Sequence, residues 1–258
     1  MKKSIIYTSS LAAICILAVI LMTTYRYYAP PAERTVYKMA QKDDTVRIAY
    51  IGDSWAFNHL WKHQCLIPKI IKDHCQRLTK IYSYGFPGRT SKEIYEAFFD
   101  DEEQKRILQN YGFQYCIISA GINDANKKMS TKYYQNSMDY IIHFLLSNHV
   151  RPIILEMPDY DIQKAYLWQR ADRKIKYRLS MAINKIPMDC KQIYRDALDD
   201  LIRKKGYQGK VSIIRYKSWN NDYEKNQSML YLIDGIHLND YGNAVLDSVI
   251  AKEIITYL

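Results

Sequence analysis

Four short islands follow one another along the chain: Gly52-Asp53-Ser54-Trp55, Phe86-Pro87-Gly88-Arg89-Thr90, Gly121-Ile122-Asn123-Asp124 and Asp234-Gly235-Ile236-His237. Together they hold a hydroxyl nucleophile, an imidazole with a carboxylate three residues away, and two kinds of hydrogen-bond donor. Those are the parts needed to move an acyl group off an ester. Gly-Asp-Ser alone usually marks a turn, and Asp-x-x-His alone is common by chance. The information lies in the ordered set.

A serine hydroxyl attacks a carbonyl only when a neighbouring base takes its proton. His237 is the candidate base. Asp234 can turn back onto the imidazole, fixing its tautomer and stabilising the imidazolium. The tetrahedral intermediate then needs donors for its oxyanion. Ser54 falls where a strand gives way to a helix, so its backbone N–H can face developing negative charge. Gly88 lacks a Cβ and lets its backbone N–H approach a substrate closely. Asn123 donates through a neutral side-chain amide. The catalytic candidates are thus Ser54, Asp234 and His237, with Ser54, Gly88 and Asn123 forming the oxyanion hole. Asp53 and Asp124 read as structural residues, Asp53 stabilising a turn.

These residues need a frame. Apolar, β-type runs at 46–51, 80–84, 115–119, 152–156 and 211–215 alternate with helical stretches at 57–77, 91–110, 131–149, 162–204 (broken at Pro187) and 241–257. Near-continuous apolar strands are expected when helices cover both faces of a parallel sheet. Asn239 and Asp240 are plausible caps for the last helix, whose Val245, Leu246, Val249, Ile250 and Ile254 form a core-facing stripe. Ser54, Gly88 and Asn123 each fall just past a strand, where open α/β sheets build their sites. A strand order of 2-1-3-4-5 would put the switch point between strands one and three, with Ser54 and Asn123 on either side of it.

At these motifs the chain resembles the SGNH, or GDSL-type, hydrolase superfamily over roughly residues 46–257. Trp55 stands where leucine is common, a departure expected to reshape the mouth beside the serine. The resemblance implies a flavodoxin-like three-layer α/β/α sandwich with a five-stranded parallel sheet, and no metal or organic cofactor. It assigns Ser54, Asp234 and His237 to the triad, and Gly88 and Asn123 to the oxyanion donors. It fixes the reaction class and leaves the acyl donor open, since esterases, lipases, thioesterases, lysophospholipases and carbohydrate O-acetylesterases share the machinery.

Three segments are expected: a signal anchor or transmembrane segment at 1–24, a polar spacer at 25–45 with Pro30-Pro31 in it, and a catalytic domain at 46–258. After Met1-Lys2-Lys3, the run Ser4–Met22 carries no charge. As a helix it would reach about 28 Å, close to the thickness of a bilayer core. A cleaved signal peptide, with secretion, or lipidation at Cys15 are the alternatives. In each case the catalytic part is exported to the non-cytoplasmic side. Outside the anchor, Cys65, Cys75, Cys116 and Cys190 show no C-x-x-C spacing to support zinc. An oxidising compartment permits disulfides among them, but Cys116 lies in the apolar run Tyr115–Ile118 and free thiols are the leading expectation. The net charge of +10 is compatible with anionic glycans or lipid headgroups, and no nucleic-acid motif accompanies it.

His59 and His63 share metal-compatible helical spacing but lack an acidic pattern beside them, and read as a partly exposed pair. Lys164, Arg170, Arg173, Lys174, Lys176, Arg178 and Lys185 form a basic stretch, read first as a solvated helical face. A flap over the site and membrane-surface contact are its other readings. The leading expectation is an exported serine esterase acting on acyl groups, O-acetyl above all, of carbohydrates. A lipid esterase or lysophospholipase, an O-acyltransferase using the same acyl-enzyme, and a catalytically silent binding protein are the alternatives.

Overall fold

The computed structural model describes residues 13–21, 44–61 and 64–258. Five strands, β1 (Val46–Gly52), β2 (Thr79–Gly85), β3 (Tyr115–Ser119), β4 (Arg151–Leu155) and β5 (Ser212–Ile214), pair in parallel in the order β2-β1-β3-β4-β5. This is the expected flavodoxin-like order. Val46, Ile48, Ile51, Ile117, Ile118, Ile153 and Ile154 are fully buried. A strand covered on both faces has no solvent side to alternate towards, hence the unbroken apolar runs.

The chain steps from β1 to β2 in one direction along the sheet and from β2 through β5 in the other. With right-handed crossovers throughout, this puts helices on opposite faces. Ile67–Cys75 packs with Asp240–Ile255, and Thr131–Ser147 packs with Lys191–Lys204 and Ser91–Ile94. Of the expected stripe on the last helix, Leu246, Ile250 and Ile254 are buried, while Val245 and Val249 pack half-buried against the core. Asn239 is its cap, accepting from the Gly242 N–H at 2.9 Å, and Asp240 is the first helical residue.

The expected helices are cut more finely than their apolar periodicity suggests. The stretch 57–77 becomes Ser54–Trp61 and Ile67–Cys75, with Pro68 in the first turn of the second, where its missing N–H costs no hydrogen bond. The stretch 91–110 divides at Asp101, whose side chain caps Glu102–Tyr111. The stretch 162–204 becomes Ile162–Leu167, Ala171–Asn184 and Lys191–Lys204, the second ending ahead of Pro187. Two further helices, Ile122–Asn126 and Tyr223–Leu230, are too short to leave a periodic signature in the sequence.

Of the expected membrane segment at 1–24, residues 13–21 are helical and exposed, and the remainder lies outside the described residues, as does all but 44–45 of the spacer. Among the described residues no helix is long and apolar enough to cross a membrane. All five cysteines are free thiols, Cys116 and Cys190 buried.

Candidate active site

β1 and β3 approach so closely at their carboxyl ends that a Cβ on Gly52 would lie 2.1 Å from Ser119 Oγ and 2.3 Å from Ser119 O. Glycine is needed there, and the chain then turns directly into a helix. Asp53 holds that turn: its N–H donates to Ser119 O (3.1 Å), and its Oδ1 accepts from the Trp55 N–H (3.0 Å). Ser54 becomes the first residue of Ser54–Trp61, at the strand-to-helix junction. Burial raises Asp53 to about 6, partly offset by the Trp55 N–H bond and the nearby His237.

The histidine arrives from the far end of the chain on a tight loop. Leu232 N–H donates to His237 O (2.7 Å), and Gly235 N–H to Leu232 O (2.9 Å). Gly235 has φ +68°, a left-handed conformation that glycine adopts without penalty. Asp234 Oδ1 accepts from the N–H groups of Ile236 (2.8 Å) and His237 (3.0 Å), and its Oδ2 lies 2.6 Å from His237 Nδ1. His237 Nε2 in turn lies 2.8 Å from Ser54 Oγ, closing a chain Asp234–His237–Ser54 across 183 residues of sequence.

The electrostatics fix the direction of that chain. Partial burial works to raise Asp234, but the imidazole bond and the two backbone N–H bonds outweigh it and hold the carboxyl at about 2. An ionised Asp234 accepts only, so Nδ1 carries the proton and Nε2 presents a lone pair to the Ser54 hydroxyl. The arrangement can take the proton of Ser54 as Oγ attacks.

Asn123 stands in the first turn of Ile122–Asn126, after Gly121 at φ +124°, with its Nδ2 3.5 Å from Asp53 Oδ2, beside Ser54. Its neighbour Asp124 points inward, fully buried, and accepts from Ser91 N (2.8 Å) and Ser91 Oγ (2.7 Å). Burial lifts Asp124 to about 7. Gly88 sits on the turn that follows β2, exposed and at φ +75°. That turn is pinned to the same sheet edge by the Phe86 N–H bond to Gly52 O (2.8 Å). A crevice at the carboxyl ends of β1, β3 and β4 is lined by Asp53, Trp55, Ser119, Ile122, Leu155 and Met157. It lies at the switch point of the sheet.

This architecture has solved counterparts. The structure of a lipase/acylhydrolase from Enterococcus faecalis superposes with TM-score 0.56 at 16% identity, covering 83% of this chain and 97% of that one. The acetyl xylan esterase AlAXEase gives 0.56 at 14% identity, covering 81% and 100%. A GDSL-like lipase from Bacteroides thetaiotaomicron gives 0.50 at 13% identity, covering 82% and 89%. The fold is that of the SGNH/GDSL-type hydrolases. No protein-family model and no curated protein matches the sequence.

Within that SGNH-type frame, Trp55 lines the crevice from a largely buried position, 6% exposed and packed edge-on against Trp219 with ring centroids 6.1 Å apart. One sequence expectation needs correction. His59 is not partly exposed. It is buried, with Nε2 2.5 Å from Asp247 Oδ1, and Asp247 Oδ2 accepts from the Leu66 N–H at 2.7 Å. The acidic partner lies 188 residues away and no local pattern announces it; His63 lies outside the described residues.

Sequence reasoning also missed the residues that hold the histidine loop. Tyr223 Oη donates to Gly235 O (2.8 Å) and accepts from the Asp161 N–H (3.1 Å). Tyr231 Oη donates to Asp159 O (3.1 Å), and Lys164 Nζ to Ile233 O (2.9 Å). The Asp222 cap could have revealed the helix that carries Tyr223. Nothing local identifies the tyrosines' partners.

Proposed function

We propose that this chain is a serine carboxylic-ester hydrolase of the SGNH type. The observation that carries the reading is the hydrogen-bonded series Asp234 Oδ2–His237 Nδ1 and His237 Nε2–Ser54 Oγ, at 2.6 and 2.8 Å. Ser54 Oγ bonds to the ester carbonyl carbon while His237 Nε2 takes the hydroxyl proton. The ester C–O bond then breaks, the leaving alkoxide receives that proton, and an acyl group remains on Ser54. Water attacks the acyl carbon and gives its proton to His237; the acyl carbon–Oγ bond then breaks, His237 returns the proton to Ser54 Oγ, and the acid leaves. The Ser54 and Gly88 N–H groups and the Asn123 amide serve the oxyanion in both halves.

The substrate we assign is a short acyl ester, O-acetyl above all, on a carbohydrate, met outside the cytoplasm by a domain tethered through its N-terminal apolar run. Support comes from the charge-free stretch Ser4–Met22 and from the likeness to an acetyl xylan esterase. A lipid ester is the second reading, favoured by Leu167, Trp168 and Ile233, large apolar side chains exposed on and beside the histidine loop.

The test has two parts. Turnover of 4-nitrophenyl acetate and labelling by a fluorophosphonate should both be lost in Ser54→Ala; labelling that persists in that variant would overturn the nucleophile assignment. Acetate release from acetylated oligosaccharides, run beside acyl release from a lysophospholipid, then decides the substrate class.

A further inference from the structure

The basic stretch read from sequence as a solvated face is exposed in three dimensions, and it carries large apolar side chains as well as charge. Helix Ala171–Asn184 buries only Tyr177. Ile175, Leu179 and Ile183 are 62, 59 and 74% exposed. Spaced four apart, they share one stripe of the helix. At the end of the preceding helix, Leu167 and Trp168 are 65 and 59% exposed. Five large apolar side chains on one helical pair facing water is unusual for a protein surface and marks an interaction site.

The charges around them narrow the occupant. Between Lys164 and Lys185 stand seven basic residues and one acidic residue, Asp172, which lies 3.2 Å from Arg170. A second copy of this chain would bring the same positive face against itself. A surface with apolar depth and anionic headgroups satisfies both features at once, as interfacial helices do. The position matters as well. Arg178 Nε donates to Tyr166 Oη (2.9 Å), and Lys164 Nζ to Ile233 O (2.9 Å), one residue before Asp234. Side-chain bonds thus join the basic helix, the short helix before it and the histidine loop.

We propose that helices Ile162–Leu167 and Ala171–Asn184 dock on an anionic bilayer surface. Leu167, Trp168, Ile175, Leu179 and Ile183 enter the headgroup–acyl boundary, and the lysines and arginines meet the phosphates. Docking would set the Ser54 site at the membrane, where the apolar run at Ser4–Met22 would keep the domain within reach. Docking of these helices requires neither Ser54 nor His237.

Tryptophan fluorescence supplies the test. Trp55 and Trp219 are buried, whereas Trp168 is exposed. The full chain, carrying Ser54→Ala so that no ester is consumed, is reconstituted into bilayers of phosphatidylcholine and phosphatidylglycerol with brominated acyl chains. Docking gives bromolipid quenching that falls at least twofold in Trp168→Phe. The Trp168 component should also fall at least twofold in Arg173→Glu/Lys174→Glu, in pure phosphatidylcholine, and in high salt. Trp168 quenched by aqueous iodide and untouched by bromolipid in anionic bilayers would overturn the proposal. So would a stable dimer in detergent, lost in Leu179→Ser, whose Trp168 is shielded from bromolipid and iodide alike. Turnover of 4-nitrophenyl acetate by the Ser54-containing charge variant should stay within twofold of wild type, which separates docking from the active site.

Discussion

Replacing Asp234 by Asn separates the two tasks this carboxylate performs. Oδ1 holds the loop by accepting from the Ile236 and His237 N–H groups, and an amide oxygen can keep both bonds. Oδ2 faces His237 Nδ1 at 2.6 Å, and there an amide presents N–H groups instead of an acceptor. The imidazole must then shed its Nδ1 proton and carry one on Nε2, which points a donor at Ser54 and removes the base. By analogy with triads in which this exchange flips the tautomer, kcat/KM should fall ~10⁴-fold, about 5 kcal/mol in the barrier. Stability should change far less. The imidazole and backbone bonds hold Asp234 at about 2, against an ordinary value of 3.8. That difference corresponds to roughly 2.4 kcal/mol of differential interaction between the two protonation states. The side chain is 26% exposed. Solvent screening therefore brings the contribution down to about 1 to about 2 kcal/mol.

The sign follows from the depressed pKa. The contribution is fully present above about pH 4 and is lost as pH falls towards 2, so the stability gap between wild type and variant should close over that window. Initial rates on 4-nitrophenyl acetate give the first quantity, and urea midpoints at pH 7 and below pH 4 give the second. A variant that keeps its kcat/KM within tenfold of wild type would refute the assignment of Asp234 as the group that sets the His237 tautomer.

Asn123→Ala should lower kcat ~100–1,000-fold with KM little changed, because the amide is assigned to the oxyanion and not to ground-state binding. Gly235→Ala forces a Cβ to 2.6 Å from Gln227 Nε2 and 2.8 Å from Tyr223 Oη at a φ of +68°. It should cost about 1–3 kcal/mol in urea unfolding while reducing activity through the displaced His237. Asp124→Asn can keep the bond from the Ser91 N–H through its carbonyl oxygen, while its amide N–H donates to Ser91 Oγ in place of the bond the carboxylate accepts from that hydroxyl, all with a neutral group. Burial raises Asp124 from its ordinary value to about 7. Its favourable contribution is therefore complete below about pH 4 and declines as pH rises to about 7. The variant should flatten that decline, gaining roughly 2–4 kcal/mol on wild type between about pH 4 and about pH 8. An unchanged pH dependence of the urea midpoint would place the titration elsewhere.

The strands and the functional islands were legible in the sequence because each is set by short-range physics. Continuous apolar runs such as Tyr115–Ser119 survive only as covered strands, and the order of the islands places each one past a strand end. The Asp234–His237 spacing is likewise a local property, closed by a turn that the aspartate itself stabilises. Everything that depends on distant partners was hidden. His59 looked exposed because Asp247, which buries it, is 188 residues away. Tyr223 and Tyr231 were two among 24 tyrosines until the folded chain brought the loop after β4 against them. The basic stretch kept its helix, yet which of its faces meets protein is decided only by where Tyr177 packs, and that leaves Ile175, Leu179 and Ile183 in water. Composition and spacing determine which elements form and which chemistry they carry. Tertiary contact alone decides what each side chain faces, because burial and hydrogen bonding are properties of neighbours that the order of residues does not name.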